Sequence, residues 1–415
     1  MHIAYIHQHF SSRSGSTGTR SYEMSQRLIA AGHRVTMICG DSERAGHSVE
    51  LSGRVTEFEV DGIRVLCVRE RYANRMGFLR RVFAFGRFAR TATRLVKKLD
   101  ADLVFATSTP LTVGIPGMKG AKHLGVPFVF EVRDLWPELV IAMGVIKNPL
   151  MIGYLKRLER RIYFAADHIF ALAPGIKDGI RKTGYPAERI SMIPNSADLD
   201  LFCPDKGQPL DRRFGSPDDF KLVFTGAHGP ANGLDAVLDA AAEIKRRRQR
   251  NIRFVFIGTG RTKPHLVERS KKEGTDQIIS WLDPLPKREL AAVLAVMDVG
   301  MMILKNVPAF YYSTSPNKFF DYIACGLPVL NNYPGWLADM IREHRCGVVV
   351  PPDDPKAFAD AVVSLRDGGG ELPAMGQRAR ELAKKSFARD LMGKRFVDAL
   401  ERVRAQRRPP RVAVG

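Results

Sequence analysis

The chain has 415 residues, a formal net charge of +20, 45% apolar residues and 26% charged residues. That length suits two domains or three, and the absence of any apolar run near 18 residues or of a signal-like leader excludes a membrane-spanning protein and leads us to expect a cytoplasmic one. Five cysteines, odd in number, scattered and without a Cys-x-x-Cys pair, exclude a disulfide framework and a zinc site, while the excess of positive charge calls for an anionic partner: nucleic acid, anionic lipid or a phosphorylated substrate.

Residues 2–10 read as a buried strand, 11–20 as a small-residue loop with Gly15 and Gly18, 21–31 as a helix closed by Gly32, and 33–38 as the next strand. The loop has Gly-x-x-Gly without the complete dinucleotide fingerprint, so a nicotinamide cofactor is not demanded. Between Arg71 and Lys98 stand nine Arg/Lys residues and no acid. Wound as a helix, Phe78, Val82, Phe85, Ala89, Ala92 and Val96 form one stripe, with Arg80, Arg87, Arg90 and Arg94 on a flank. Such a stripe packs on its own sheet or lies on an anionic bilayer, and both hold together if it faces inward while the arginines, Arg81 included, face headgroups.

Strands follow at 103–106 and 128–132. The second runs into Arg133-Asp134-Leu135-Trp136-Pro137-Glu138, charges at a strand's carboxyl end, where open α/β sheets bind ligands; a surface turn explains the same residues one by one, the cluster less well. Strands at 169–172 and 190–196 close the first half. The Asp-, Pro- and Gly-rich stretch 198–219 reads as a linker. The second half repeats the alternation, with strands at 221–225, 253–257, 278–282, 299–304 and 347–350, loops at 226–233 and 258–260, and helices between. The expected fold class is α/β, two Rossmann-like doubly wound domains facing across a cleft, with boundaries 1–200 and 201–385, a helix 386–404 and a disordered basic tail 405–415.

The most informative stretch is Ser315-Pro316-Asn317-Lys318-Phe319-Phe320-Asp321, followed by Gly326 and a buried strand. Proline after a serine cap opens a helix whose first amides, at Asn317 and Lys318, point outward with the positive end of the dipole behind them. A phosphate suits that place. Asp321, one turn on, suits a ribose diol, although an ordinary capped helix has the same shape.

The ordered set EVRDLWPE, IPNSADLDLF, GLDAVLDAA, FIGTG, SPNKFFDYIACGLPVL and GVVVPPDDPKAFADAV resembles glycosyltransferase family 4, in the subgroup that builds bacterial surface polysaccharides. The resemblance implies a GT-B fold, a nucleotide-sugar donor held mainly by the C-terminal domain, an acceptor at the N-terminal domain, retention of configuration, no metal or other cofactor, and a last helix returning to the first domain. Donor contacts so implied are Gly15, Gly18, Asn195, Gly226, His228, Gly258, Gly260, Arg261, Lys263, Leu282, Ser315, Asn317, Lys318 and Asp321. Two departures stand out: the first acid of the family's acid-x7-acid pattern is Ser313 here, and the loop 226–233 offers no cation except His228. Neutralising a leaving diphosphate therefore falls to Lys318 and the amide at Asn317, and secondarily to Arg261 or Lys263. Arg133 replaces a histidine common in relatives and is expected to touch donor phosphate or sugar; Glu138 is the candidate acid or base. The expected protein is a retaining glycosyltransferase on the cytoplasmic face of the inner membrane. It would move a sugar from a UDP-type donor to a lipid-diphosphate-linked saccharide in capsule, exopolysaccharide or O-antigen assembly, with no nucleic-acid partner. Alternatives are a UDP-sugar 2-epimerase of the same fold and a non-catalytic nucleotide-sugar or nucleic-acid binder.

Overall fold

The structure, a computed structural model, describes residues 1–15, 18–41, 49, 52–70, 78–204 and 211–406. It divides into two compact units. Unit 1 takes in Met1–Pro194, Ser313–Ser315 and Asp390–Gly415, and unit 2 takes in Asn195–Tyr312 and Pro316–Arg389.

Unit 1 begins with β1 (His2–Ile6), α1 (Arg20–Ala30), β2 (Arg34–Gly40), β3 (Val55–Val60), β4 (Ile63–Val68), α2 (Phe78–Val96) and β5 (Leu103–Thr107). It continues with α3 (Gly114–Leu124), β6 (Phe128–Val132), α4 (Glu138–Ala142), α5 (Pro149–Ala165), β7 (His168–Ala171), α6 (Pro174–Lys182) and β8 (Ile190–Met192). The sheet order is β3-β4-β2-β1-β5-β6-β7-β8, parallel except for the antiparallel β3–β4 pair. Central strands such as β1, β5 and β6 are buried along their whole length, as parallel strands covered on both faces must be.

Unit 2 runs β9 (Phe220–Thr225), α7 (Asp235–Arg246), β10 (Ile252–Ile257), α8 (Lys263–Glu273), β11 (Ile279–Leu282), α9 (Lys287–Leu294) and β12 (Val299–Met302). There follow α10 (Pro308–Tyr311), α11 (Asn317–Ala324), β13 (Val329–Asn331), α12 (Trp336–Glu343), β14 (Gly347–Val349), α13 (Pro355–Asp367) and α14 (Glu371–Leu382). Its six strands are all parallel in the order β11-β10-β9-β12-β13-β14. The last helix, α15 (Arg389–Gln406), places Met392, Phe396, Leu400 and Val403 in the core of unit 1, where Phe396 meets Phe105 and Phe170 edge-on.

Several boundaries differ from the sequence reading. Strand β1 stops at Ile6 rather than at residue 10, with a turn at Gln8 and His9, although the His7 amide still donates to the Ile38 carbonyl at 3.0 Å. The β3–β4 hairpin had no counterpart in the reading. Residues 195–200 join unit 2 rather than the first domain: the Ala197 amide donates to the Phe387 carbonyl at 2.8 Å, and Asp198 pairs with Arg389. Helix α15 starts at Arg389, three residues later than expected, since 383–387 is a π-turn and Ala388 is extended. Most of the tail expected to be disordered, 407–415, lies outside the described residues.

The basic helix α2 is rotated relative to the expected stripe. Ala84, Phe88, Ala89, Ala92 and Val96 are buried, whereas Val82 is 44% and Phe83 65% exposed. Helix α3 decides this rotation by closeness: a side chain at Gly117 would collide with the Phe128 ring, one at Gly120 with Val96, and one at Gly114 with Ile162. Three glycines one turn apart thus let α3 press onto β6, α2 and α5 at once, and Val96 fixes which face of α2 turns inward.

One buried ion pair ties unit 1 together. Arg20, on the first turn of α1, donates twice to Glu131 of β6 at 2.7 and 3.0 Å, and also to the carbonyls of Ile193 (2.8 Å) and Pro194 (2.7 Å). Thr107 donates to the other Glu131 oxygen at 2.7 Å. Burial pushes the Glu131 carboxyl up, but the charge and hydrogen bonds of Arg20 outweigh it and hold the group below its ordinary range. Glu131 is therefore a structural anchor. Replacing Arg20 by Met is expected to cost about 3–5 kcal/mol, because an unpaired carboxylate is left inside. The wild-type contribution is present at neutral pH and is lost as acid takes Glu131 below the ordinary glutamate value of 4.5. Urea midpoints of wild type and Arg20→Met measured between pH 7 and 3.5 check both statements.

Candidate active site

In unit 2 the loops leaving β9 and β10 are stitched back to back. A side chain at Gly258 would collide with the Gly226 carbonyl oxygen, and one at Gly260 with the His228 carbonyl. The His228 amide donates to Thr259 O at 2.9 Å, while the Thr262 amide (3.0 Å) and hydroxyl (2.7 Å) donate to His228 O. Glycine at 258 and 260 is thus required by the approach of one loop to the other. Lys263 completes the seam. Its ammonium donates to Gly258 O (2.9 Å), Leu282 O (2.8 Å) and Asp283 (2.9 Å), which uses all three of its protons. Lys263 is therefore corrected from a diphosphate contact to a brace, and Leu282 contributes to the seam through its carbonyl.

His228 is also corrected. Its ring is fully buried among Phe224, Phe256 and Trp281, with both ring nitrogens enclosed and without a hydrogen-bond partner. Burial, aided by the charges of Lys263 and Lys318, lowers it to about 4, so at neutral pH it is an uncharged packing group.

The cation of this loop arrives from α11. Tyr322 accepts a 2.9 Å hydrogen bond from the Thr225 amide at the end of β9, and Gly300 of β12 leaves room for the Tyr322 ring. That anchorage sets Lys318, the second residue of α11, above the loop: a Cβ at Gly226 would lie 3.8 Å from Nζ. The ammonium sits 3.8 Å from the Phe224 ring centroid and 3.4 Å from the Asn232 side-chain oxygen. No described carboxylate pairs with it. Desolvation lowers it to about 7. A half-buried ammonium of this kind, beside the outward amides of a helix N-terminus, has the chemistry that suits an anion.

The remaining donor-side residues take varied places. The helix opens at Asn317, with Pro316 in the cap position and no side-chain cap, so Ser315 is corrected from the capping role: the extended Pro316 delays the first helical residue by one. Asp321 lies one turn beyond Lys318, is 7% exposed and accepts no hydrogen bond from a described side chain; burial raises its carboxyl against the pull of Lys287 and Arg389. Arg261 is exposed at the mouth of the β10 loop, and Asn195 is buried at the first position of unit 2.

Unit 1 gathers a second polar group at the carboxyl ends of β1 and β6. The Arg133 guanidinium lies 3.3 Å from His7 Nε2, its amide donates to Ser108 at 2.9 Å, and His7 Nδ1 meets Ser21 at 2.8 Å. Burial and the Arg133 charge keep both His7 and His9 neutral, His9 at about 4. Gln8 between them is buried with both amide atoms unpartnered. The sequence reading missed His7, Gln8 and His9. Three polar residues ending an otherwise apolar first strand were the available signal. Glu138 is exposed on the first turn of α4, and its charge, after burial, helps raise Glu159 of α5 to about 8. Gly15 donates its amide to Ser12 O at 3.0 Å and Gly18 precedes α1; residues 16–17 between them lie outside the described residues. Among the described residues no three His, Cys, Asp or Glu side chains gather as a metal site would require.

Two doubly wound parallel sheets, each with its polar groups at the strands' carboxyl ends, define the GT-B class. Residues 15–196 match the glycosyl transferase 4-like domain, and residues 219–367 match glycosyl transferases group 1. The chain belongs to the glycosyltransferases that join these two domains. It is 27% identical over 282 residues to D-inositol 3-phosphate glycosyltransferase 2 of Catenulispora acidiphila, covering 66% of this chain and 64% of that protein. Against the GDP-mannose-dependent alpha-mannosyltransferase of Mycobacterium tuberculosis it is 25% identical, with 66% of each chain covered. The chain spans about half to two thirds of the length of the curated relatives it matches, from 47% for the Corynebacterium efficiens D-inositol 3-phosphate glycosyltransferase to 69% for that of Thermobispora bispora. Among solved structures, sucrose-phosphate synthase of Thermosynechococcus elongatus superposes with a TM-score of 0.76 at 15% identity, covering 97% of this chain and 99% of that one. Anabaena HepE in complex with UDP-glucose does so at 0.69 and 14%, covering 97% and 100%.

Lys318 carries a cost that its removal should expose. Its folded value lies below that of the unfolded chain, so folding loses stability as pH falls from 10.5 towards 7. Lys318→Met is expected to be more stable than wild type by roughly 1–3 kcal/mol at pH 7, with the two proteins converging above pH 10.5. Urea unfolding at the two pH values reads the difference.

Proposed function

We propose that the protein is a retaining glycosyltransferase that takes its sugar from a nucleoside-diphosphate donor, a UDP-sugar first among them. The observation that carries this reading is the Lys318 ammonium over the Gly226 loop at the head of α11, which no described carboxylate pairs. In the proposed reaction the bond between the anomeric carbon and the diphosphate oxygen breaks, and the acceptor hydroxyl oxygen bonds that carbon on the same face. The hydroxyl proton passes to the leaving phosphate. Lys318, the first amides of α11 and Arg261 meet the charge that develops on the diphosphate, Asp321 holds the ribose diol, and Arg133 with the His7 group is the polar cluster that unit 1 supplies for sugar or acceptor. HepE solved with UDP-glucose, and relatives named for D-inositol 3-phosphate and GDP-mannose, support a nucleotide-sugar donor and a polar acceptor.

For the acceptor we propose a lipid-diphosphate-linked saccharide of capsule, exopolysaccharide or O-antigen assembly, reached from the cytoplasmic face of the inner membrane. Support comes from the surface of unit 1. Arg80, Arg90 and Arg94 are exposed on α2 beside the exposed Val82 and Phe83, and Arg81 is half-buried there. Arg87, also exposed, is held by Glu70 at 2.7 Å and so has less charge to offer. On and before α5, Val145, Leu150 and Tyr154 stand out from the surface between Lys147, Lys156 and Arg157. No described helix is long and apolar enough to cross a membrane. Apolar side chains standing among cations suit an anionic bilayer interface.

A thermal-shift panel of nucleotide sugars tests the donor. A UDP-sugar is expected to raise the Tm of wild type, Lys318→Ala to weaken that ligand at least tenfold and Asp321→Ala about as much. A panel without any shift, or both variants binding as wild type, would remove the nucleotide from α11. The Arg80/Arg81/Arg87/Arg90→Glu variant is expected to leave anionic vesicles in sedimentation, and its retention there would refute the membrane role of α2.

A further inference from the structure

Helices α2 and α3 leave between them a groove of about 340 Å³ that the donor and acceptor chemistry does not use. Its floor is Gly86, Ala89 and Thr93 of α2 with Ile115 of α3, and its rim is Arg90, Arg94 and Lys119. The floor is shallow in side chains because Gly86, Ala89 and Thr93 are small residues at helical spacing; an added Cβ at Gly86 meets nothing within 4 Å. The three rim residues are exposed cations, and among the described residues none of them is ion-paired. Rim and floor therefore want different things from one occupant. The floor wants hydrocarbon, and the rim wants a phosphate.

We propose that this groove is a binding site for one anionic phospholipid of the bilayer, its acyl chain lying on Gly86, Ala89 and Ile115 and its phosphate held by Arg90, Arg94 and Lys119. A chain-bearing anion answers both halves of the groove, whereas a nucleic acid would leave the floor empty and a neutral lipid would leave three cations unanswered. Val82 and Phe83, the exposed apolar pair one turn before Gly86, point the same way, since they offer the acyl layer a foothold at the groove's N-terminal end. The site turns a diffuse attraction to negative membranes into recognition of a single lipid, and it rests on the membrane-surface reading above.

The test uses a one-chain probe below its micelle concentration, so that groove and bilayer are separated. Myristoyl lysophosphatidylglycerol is expected to bind the full-length protein, while myristoyl lysophosphatidylcholine and glycerol 1-phosphate bind at least tenfold more weakly. Gly86→Trp fills the floor and keeps every charge; Arg90→Gln/Arg94→Gln keeps the floor and removes the phosphate contacts. Each is expected to weaken lysophosphatidylglycerol at least tenfold, with Gly86→Leu taking the place of Gly86→Trp should the latter not fold. Binding by the filled-groove variant within twofold of wild type, or equal binding of the choline lipid, would overturn the site. Sedimentation with phosphatidylglycerol vesicles run alongside separates the two readings: wild type on vesicles with no groove effect sinks the groove alone, and wild type off vesicles sinks the membrane reading.

Discussion

The molecule turns on an ammonium group without a counter-ion. Lys318 is placed by a helix whose own position is fixed by Tyr322 against the end of β9, and it lies between the Phe224 ring and the Gly226 turn with no carboxylate beside it. Desolvating a charge in this way costs the fold stability, and the arrangement is worth that cost only if an anion answers the charge. The surroundings are consistent with that purpose. The other basic group nearby, Lys263, is consumed by two carbonyls and Asp283, and His228 is neutral, so neither competes for an incoming phosphate.

Much of the architecture was legible in the sequence because parallel strands buried on both faces leave unbroken apolar runs, such as 103–106, 128–132 and 253–257, separated by helical spacing. The helix start around Lys318 was legible for a similar reason, since proline followed by cation and acid at helical spacing opens a helix, which begins at Asn317. What escaped depended on tertiary contacts. The face of α2 that turns inward is chosen by the glycine ridge of α3, which no periodicity within α2 reports. The role of Lys263 depends on where the Leu282 carbonyl ends up, 19 residues away in the chain, and a lysine beside a glycine loop looks the same whether it binds phosphate or braces backbone. The anchoring role of Glu131 is not visible within its strand, because its partner Arg20 stands 111 positions earlier.

The two units divide the chemistry by charge. Unit 2 holds a cation without a described carboxylate partner beside a helix N-terminus, while unit 1 gathers neutral imidazoles and Arg133 at the ends of β1 and β6 and turns cations and apolar side chains outward along α2. The excess of +20 is thus not one feature but several, the Lys318 ammonium over its loop and the exposed arginines of α2 among them. Surface arginines can be lost singly with small effect, whereas the seam of Gly226, Gly258 and Gly260 tolerates no added side chain.

The most direct test of the central claim is calorimetry of UDP binding at pH 8 in buffers of different ionisation enthalpy. With Lys318 near 7 in the free protein and held protonated by a bound diphosphate, uptake of close to one proton per UDP is expected, abolished in Lys318→Met. UDP binding with no proton uptake, at an affinity that Lys318→Met leaves unchanged, would contradict it.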